Sequence, residues 1–134
     1  MSLETWVQEF YPQSVESTKE FTTTELIKHS LKKWEGLTRK NLNRHGLTAE
    51  MACIIDRENS SEFSIDSTTC SLCARYLADS CVECPIYIAQ GIPCDADQVE
   101  GISQYDAFLL HRESGPMINI LKKALEIETQ KENG

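Results

Sequence analysis

Between Cys70 and Cys94 the chain reads CSLCARYLADSCVECPIYIAQGIPC, and five of its six cysteines fall inside this stretch. The spacing is Cys70-x2-Cys73, seven residues, Cys81-x2-Cys84, nine residues, then Cys94. Two intervening residues let a tight turn aim both sulfurs of a pair at one ion about 2.3 Å away, so two such pairs this close are expected to be soft ligands around one centre. A tetrahedral structural zinc takes four ligands, which leaves one cysteine over. The pairing pattern favours Cys70, Cys73, Cys81 and Cys84. A rival set puts Cys94 in place of Cys81, because seven residues leave little room for two full knuckles.

Other uses of clustered thiols fit the pattern less well. Disulfides need an oxidising compartment, which the N-terminus MSLETWVQEFYPQS does not advertise: it lacks a basic segment followed by an apolar one. The Cys84-Pro85 pair has a counterpart in ferredoxins, but the bacterial run with two, two and three intervening residues is absent. Thioredoxin-like chemistry would place its CxxC at the start of a helix after a strand in an α/β alternation, and no such alternation is visible. Cys53, outside the cluster, is expected to be a small core hydrophobe.

The chain has 134 residues, 40% hydrophobic and 25% charged, which fits one globular domain. Small domains bury proportionally less surface than large ones, so a bound metal would add usefully to stability. No apolar run approaches the roughly 20 residues needed to span a bilayer, and a cytoplasmic protein without membrane association is expected.

Periodicity gives the elements. Leu3, Trp6, Val7 and Phe10 recur at helical spacing ahead of Pro12, and a polar connector follows to Phe21. Thr22-x-x-Glu25 has the form of a capping box, after which Ile27, Leu31 and Trp34 line one face. Gly36 and then Gly46 are predicted as left-handed helix ends, with Thr38 capping the short helix between them. Ala52 to Asp56 and Glu62 to Asp66 are predicted strands joined by a turn over Arg57 to Ser61. Ala74 to Ser80 has room for a turn or two of helix, with Tyr76 and Leu77 covering the cysteine site. Tyr105, Phe108 and Leu109 mark another helix. Pro116 opens a last one, with Met117, Ile120, Leu121, Ala124 and Leu125 as its apolar face and TQKENG as a frayed tail. The expected fold is α+β: a small, mostly helical domain with a β-hairpin and a zinc-ribbon or knuckle-like cysteine cluster. One domain spans 1–134, with an N-terminal helix and connector over 1–21, a helix-turn-helix pair over 22–46, the hairpin over 52–66, the cluster over 70–94 and C-terminal helices over 104–131.

Net charge is −8, unevenly spread. Lys28, Lys32, Lys33, Arg39, Lys40 and Arg44 stand against only Glu35 between Leu26 and Gly46, so that segment is +5 and the remainder −13. Such asymmetry predicts either a solvated helix face or a basic patch for phosphates or an acidic partner. The helix pair itself is too short to argue for DNA reading. No catalytic constellation is evident. His111-Arg112-Glu113 has the H-x-E form of zinc deaminases, but it follows the cysteines instead of preceding them, and Pro85 lies on the wrong side of its CxxC. An all-cysteine zinc is the structural type, so the chain is expected not to be an enzyme.

LKKWEGLTRKNLNRHGL, then CSLCARY, CVECP and GIPC, then Tyr105 and a final amphipathic helix, together resemble small cysteine-cluster proteins encoded by bacteriophages and prophages. The resemblance runs from about Leu26 onward, and the cysteine spacing is its specific part. It implies phage origin, the bacterial host cytoplasm, and metal binding at Cys70, Cys73, Cys81, Cys84 and Cys94, and it transfers no catalytic residues. The expectation is a non-catalytic protein with one structural zinc per chain that binds a macromolecular partner, most plainly a protein, as a host-directed modulator or anti-defence factor. The alternative is a nucleic-acid-binding zinc module that uses the basic residues from 28 to 44.

Overall fold

A computed structural model of the chain describes residues 2–76, 83–96 and 101–133. Their architecture is α+β and mostly helical, with one small three-stranded antiparallel sheet. Helix α1, Leu3–Phe10, starts where the Ser2 and Thr5 side chains each accept from the other's backbone N–H, and it buries Leu3, Trp6 and Phe10. Helix α2, Thr23–Gly36, opens with the expected capping box: Glu25 N–H donates to Thr22 Oγ1 at 3.2 Å and Thr22 N–H to Glu25 Oε1 at 3.0 Å.

Gly36 corrects the sequence reading. It is the last residue of α2, and its φ is not positive. Its role is close approach: a Cβ built there would lie 2.4 Å from Phe10 Cγ and 2.7 Å from Phe10 Cβ. Trp6 Nε1–H also donates to Gly36 O at 2.8 Å, so α1 crosses α2 directly over this residue. Gly46 does behave as predicted. After helix α3, Arg39–Arg44, it adopts φ 71, with Gly46 N–H donating to Asn43 O and Leu47 N–H to Leu42 O, the paired bonds of a Schellman end.

The sheet runs β1 (Thr48–Glu50), β2 (Cys53–Asp56), β3 (Ser61–Ser64) in that order. The predicted hairpin corresponds to β2 and β3. The three-residue β1 lacks enough alternation to be read in advance. Ile54, fully buried, faces Ala49 on one side and Phe63 on the other, and the Phe63 ring lies 5.3 Å from that of Trp6. Cys53 is half-buried on β2, not a core residue.

Asp56 joins α1 to the sheet. Its buried carboxylate accepts from Leu3 N–H at 2.9 Å and from both the backbone N–H and the side-chain amide of Asn59. The Asn59 amide, then Leu3 N–H, favour the charged form and hold the carboxyl below the usual aspartate value. A depressed folded-state pKa contributes stability that is present above the unfolded value and is lost as pH falls through the folded one. Asp56→Asn therefore lowers the thermal midpoint by several degrees at pH 7, and the gap to wild type narrows below about pH 4. A pH series of melting curves checks this, and a constant gap down to pH 2 contradicts it.

Helices α4 (Ser71–Tyr76), α5 (Pro85–Gln90), α6 (Gln104–His111) and α7 (Gly115–Asn133) complete the described chain. The face of α2 away from α1 packs mainly on α7, which also carries α5. Trp34 meets Phe108 edge-on at 5.2 Å. Helix α5 has no counterpart among the elements expected from sequence; Pro85 opens it and Gly91, at φ 82, closes it. Helix α7 continues through the predicted frayed tail to Asn133, held in part by Thr24 Oγ1–H donating to Glu132 at 2.7 Å.

Candidate metal centre

The chain leaves β3 through a short 3-10 turn, Ser67–Thr69, whose N-terminus is capped by Asp66 accepting from Thr68 N–H. The Thr69 hydroxyl donates to Ser64 O at 2.8 Å and ties the turn to the sheet. Cys70 thus arrives with an extended backbone directly before α4, where its carbonyl accepts the first helical bond, from Ala74 N–H. Its sulfur takes the place that an oxygen has in a Ser cap, accepting from Cys73 N–H at 3.4 Å. The first CxxC is therefore the opening turn of a helix.

Cys94 reaches the same place from the other direction. The Gln90 side chain donates to Ile92 O and Pro93 O and pairs with the Gln104 amide, and Tyr105 N–H donates to Cys94 O at 3.1 Å. These bonds pin the Gly91–Cys94 turn to the start of α6. Cys70, Cys73 and Cys94 line one cavity of about 200 Å³, walled by Trp34, Ile86, Tyr105 and Met117. Cys84 is buried at the N-cap of α5 and does not line it. Cys81 and Leu77 lie outside the described residues.

Lys33 also lines this cavity, and it corrects the predicted basic surface. It is 1% exposed, so it belongs to the interior and not to a patch with Lys28 and Lys32. Its ammonium donates to Thr69 O at 3.2 Å and sits 5.5 Å from the centre of the Trp34 ring. Burial pushes the Lys33 ammonium below its ordinary value, while Cys70, Cys73, Cys94 and Asp66 pull the other way. The Cys70 thiol is brought down to about 5, first by the Cys73 side chain and then by Lys33, against the effect of its own burial. The shift favours the thiolate, the form that binds metals and acts as a nucleophile. The Tyr105 hydroxyl, pushed up to about 12 by burial and by the acidic groups beside it, stays protonated and donates to Ile65 O.

A signal for Lys33 was present in the sequence. Leu26, Ser30, Lys33 and Leu37 follow one helical stripe, and all four are buried, so a lysine at that position was on the inner face. Of the other predicted basic residues, Lys28, Lys32, Arg39 and Lys40 are exposed, while Arg44 pairs with Glu9 at 2.6 Å. Arg112, from the deaminase-like triplet, donates to Ala49 O and serves packing.

As a donor set, three cysteines lining one cavity, which Asp66, Asp95 and Lys33 also line, match the ligand types of a soft divalent ion. Among the described residues, however, no three Cys, His, Asp or Glu side chains are placed tightly enough to enclose an ion, and no zinc ribbon is formed. The chain matches no family model, and no similar curated protein or solved structure is found for it.

Proposed function

We propose that this is a non-catalytic, phage-encoded domain that holds one structural zinc and acts in the bacterial cytoplasm by binding a macromolecular partner, as a host-directed modulator or anti-defence factor. One observation carries the metal reading: Cys70, Cys73 and Cys94, separated by up to 24 positions in sequence, are brought to one cavity. Cys70, Cys73 and Cys94 would hold the ion, with Cys84 or Cys81 as the fourth ligand. A centre between the turn after β3 and the turn after α5 would clamp these two segments together, which is what a structural zinc supplies. Among the described residues no helix is long and apolar enough to cross a membrane.

The second reading, a nucleic-acid-binding module, is favoured by the exposure of Lys28, Lys32, Arg39 and Lys40 on the α2–α3 pair. One preparation tests both. Metal analysis of untagged protein, with a thiol count after chelation and unfolding, is expected to give about one zinc per chain and six titratable thiols. No metal and fewer thiols end the zinc reading. The same protein in gel shifts with DNA and RNA decides between partners: binding that falls steeply with salt and is abolished in Lys32→Glu/Arg39→Glu selects the nucleic-acid module. Silence at low salt removes it.

A further inference from the structure

Two cysteines three positions apart inside a helix have Cβ atoms roughly 5 to 6 Å from each other. That is wider than the about 3.5 to 4.5 Å that a disulfide spans. Cys70 escapes this limit, because it stands just ahead of α4 with an extended backbone, φ −103 and ψ 112. Its sulfur already turns onto the first helical turn, accepting from Cys73 N–H at 3.4 Å, and the Cys73 side chain is hydrogen-bonded to it. Both residues are half-buried and line one cavity, so a small reagent can reach them. Cys94 lines the cavity too, but it lies on a separate segment whose turn is held by the Gln90 side chain and by Tyr105 N–H. A bridge from Cys70 to Cys73 therefore needs side-chain rotation within one turn, whereas a bridge to Cys94 would have to join two segments.

We infer that Cys70 and Cys73 form a reversible dithiol pair, a covalent modification site whose co-reactant is a low-molecular-weight disulfide. One sulfur of the pair attacks a sulfur of the reagent, which makes a mixed disulfide and releases one small thiol. The other sulfur then attacks the first, closes the bridge and releases the second small thiol. The pair gives up two electrons and two protons, and the reagent takes up both as two thiols. In a reducing compartment such a bridge is transient and reports the redox state. Lys33 on the cavity wall favours ionised sulfur while Asp66 and Asp95 oppose it, so the readout is the equilibrium and not the rate. The bridge and the proposed ion would use the same two sulfurs and exclude each other. The bridge needs no ion, however, and does not rest on the zinc reading.

The experiment uses the full chain, reduced, cleared of metal with a chelator and equilibrated in native buffer with stepped ratios of reduced to oxidised glutathione. Thiols are trapped by alkylation, intact mass counts them, and peptide mapping locates the bridge. Wild type is expected to lose two of its six thiols without gaining glutathione, with the bridge mapped to Cys70 and Cys73. The bridged form should exceed glutathione-bearing protein by roughly tenfold or more, as for an intramolecular partner already in place. Cys73→Ser is expected to stop at one glutathione on Cys70, and Cys94→Ser to bridge as wild type does. Six thiols remaining at the most oxidising ratio overturn the pair. So does wild type that stops at a mixed disulfide, or a bridge that joins Cys70 or Cys73 to any other cysteine. Should Cys73→Ser fail to fold, the wild-type map and Cys94→Ser still decide. Because metal is removed first, a protein that takes up no zinc yet forms the bridge ends the zinc reading alone, and one that holds zinc but never bridges ends the dithiol pair alone.

Discussion

Cys70→Ala is expected to empty the proposed centre and to lower the thermal midpoint by on the order of 15 °C in zinc-replete buffer. The size follows from linkage: a ligand present at a thousandfold its dissociation constant stabilises the folded state by about 4 kcal/mol. In a domain of this length each kcal/mol shifts the midpoint by roughly 3 to 5 °C. Cys70 is the cysteine to choose because it lines the cavity and stands where the turn after β3 meets α4. Its loss also leaves Cys73 N–H without its sulfur acceptor. Cys53→Ala is the control, since Cys53 sits on β2 and does not line the cavity. It should keep full metal content. Metal analysis and melting curves with and without chelator check the pair. A C70A protein that retains one zinc per chain, or a wild type whose melting ignores chelation, contradicts the assignment.

Gly36→Ala is expected to cost about 2 to 4 kcal/mol, far more than an alanine at a helix end ordinarily would, since helix propensity alone favours alanine over glycine by about 1 kcal/mol. The new methyl group would meet Phe10 at both Cγ and Cβ, within 2.4 and 2.7 Å. Rotation of the ring cannot relieve the clash at Cβ, so α1 must lift from α2. Lifting it stretches the bond from Trp6 Nε1–H to Gly36 O and pulls Leu3 N–H from Asp56. Chemical denaturation of G36A, Phe10→Ala and the double variant checks this: the two changes should couple strongly, with the double variant less destabilised than their sum. Additive losses would show that the approach of α1 to Gly36 is not the constraint.

Where local chemistry decides the outcome, the sequence was legible. The Thr22–Glu25 capping box, the left-handed end at Gly46 with Leu47 behind it, and the β2–β3 hairpin each depend on residues a few positions apart. Gly36 was misread because its requirement comes from Phe10, on another helix. Helix α5 was missed although Pro85 and Gly91 bracket it, since six residues carry too little periodicity to stand out from a turn. The helical tail to Asn133 depends on packing along α2, which composition does not reveal. At the candidate centre the cysteine spacing singled out Cys70, Cys73 and Cys94 among others. It did not show that the first pair opens a helix or that Cys94 joins it in one cavity, because the Gln90–Gln104 pairing that folds the second segment back is tertiary. Lys33 was counted with the surface charges by residue type, whereas its place on the stripe from Leu26 to Leu37 puts it inside.

The walls of the cavity differ in when they are made. Lys33, Trp34, Cys70 and Cys73 come early in the chain, while Tyr105 and Met117 come late. During synthesis a nascent chain therefore exposes its sulfurs before the residues that cover them have left the ribosome. An ion of the proposed centre, taken up at that stage, would be covered afterwards by Tyr105 and Met117. Metal exchange at the proposed centre would then depend on how readily that late-made cover opens, as well as on the strength of the metal–sulfur bonds.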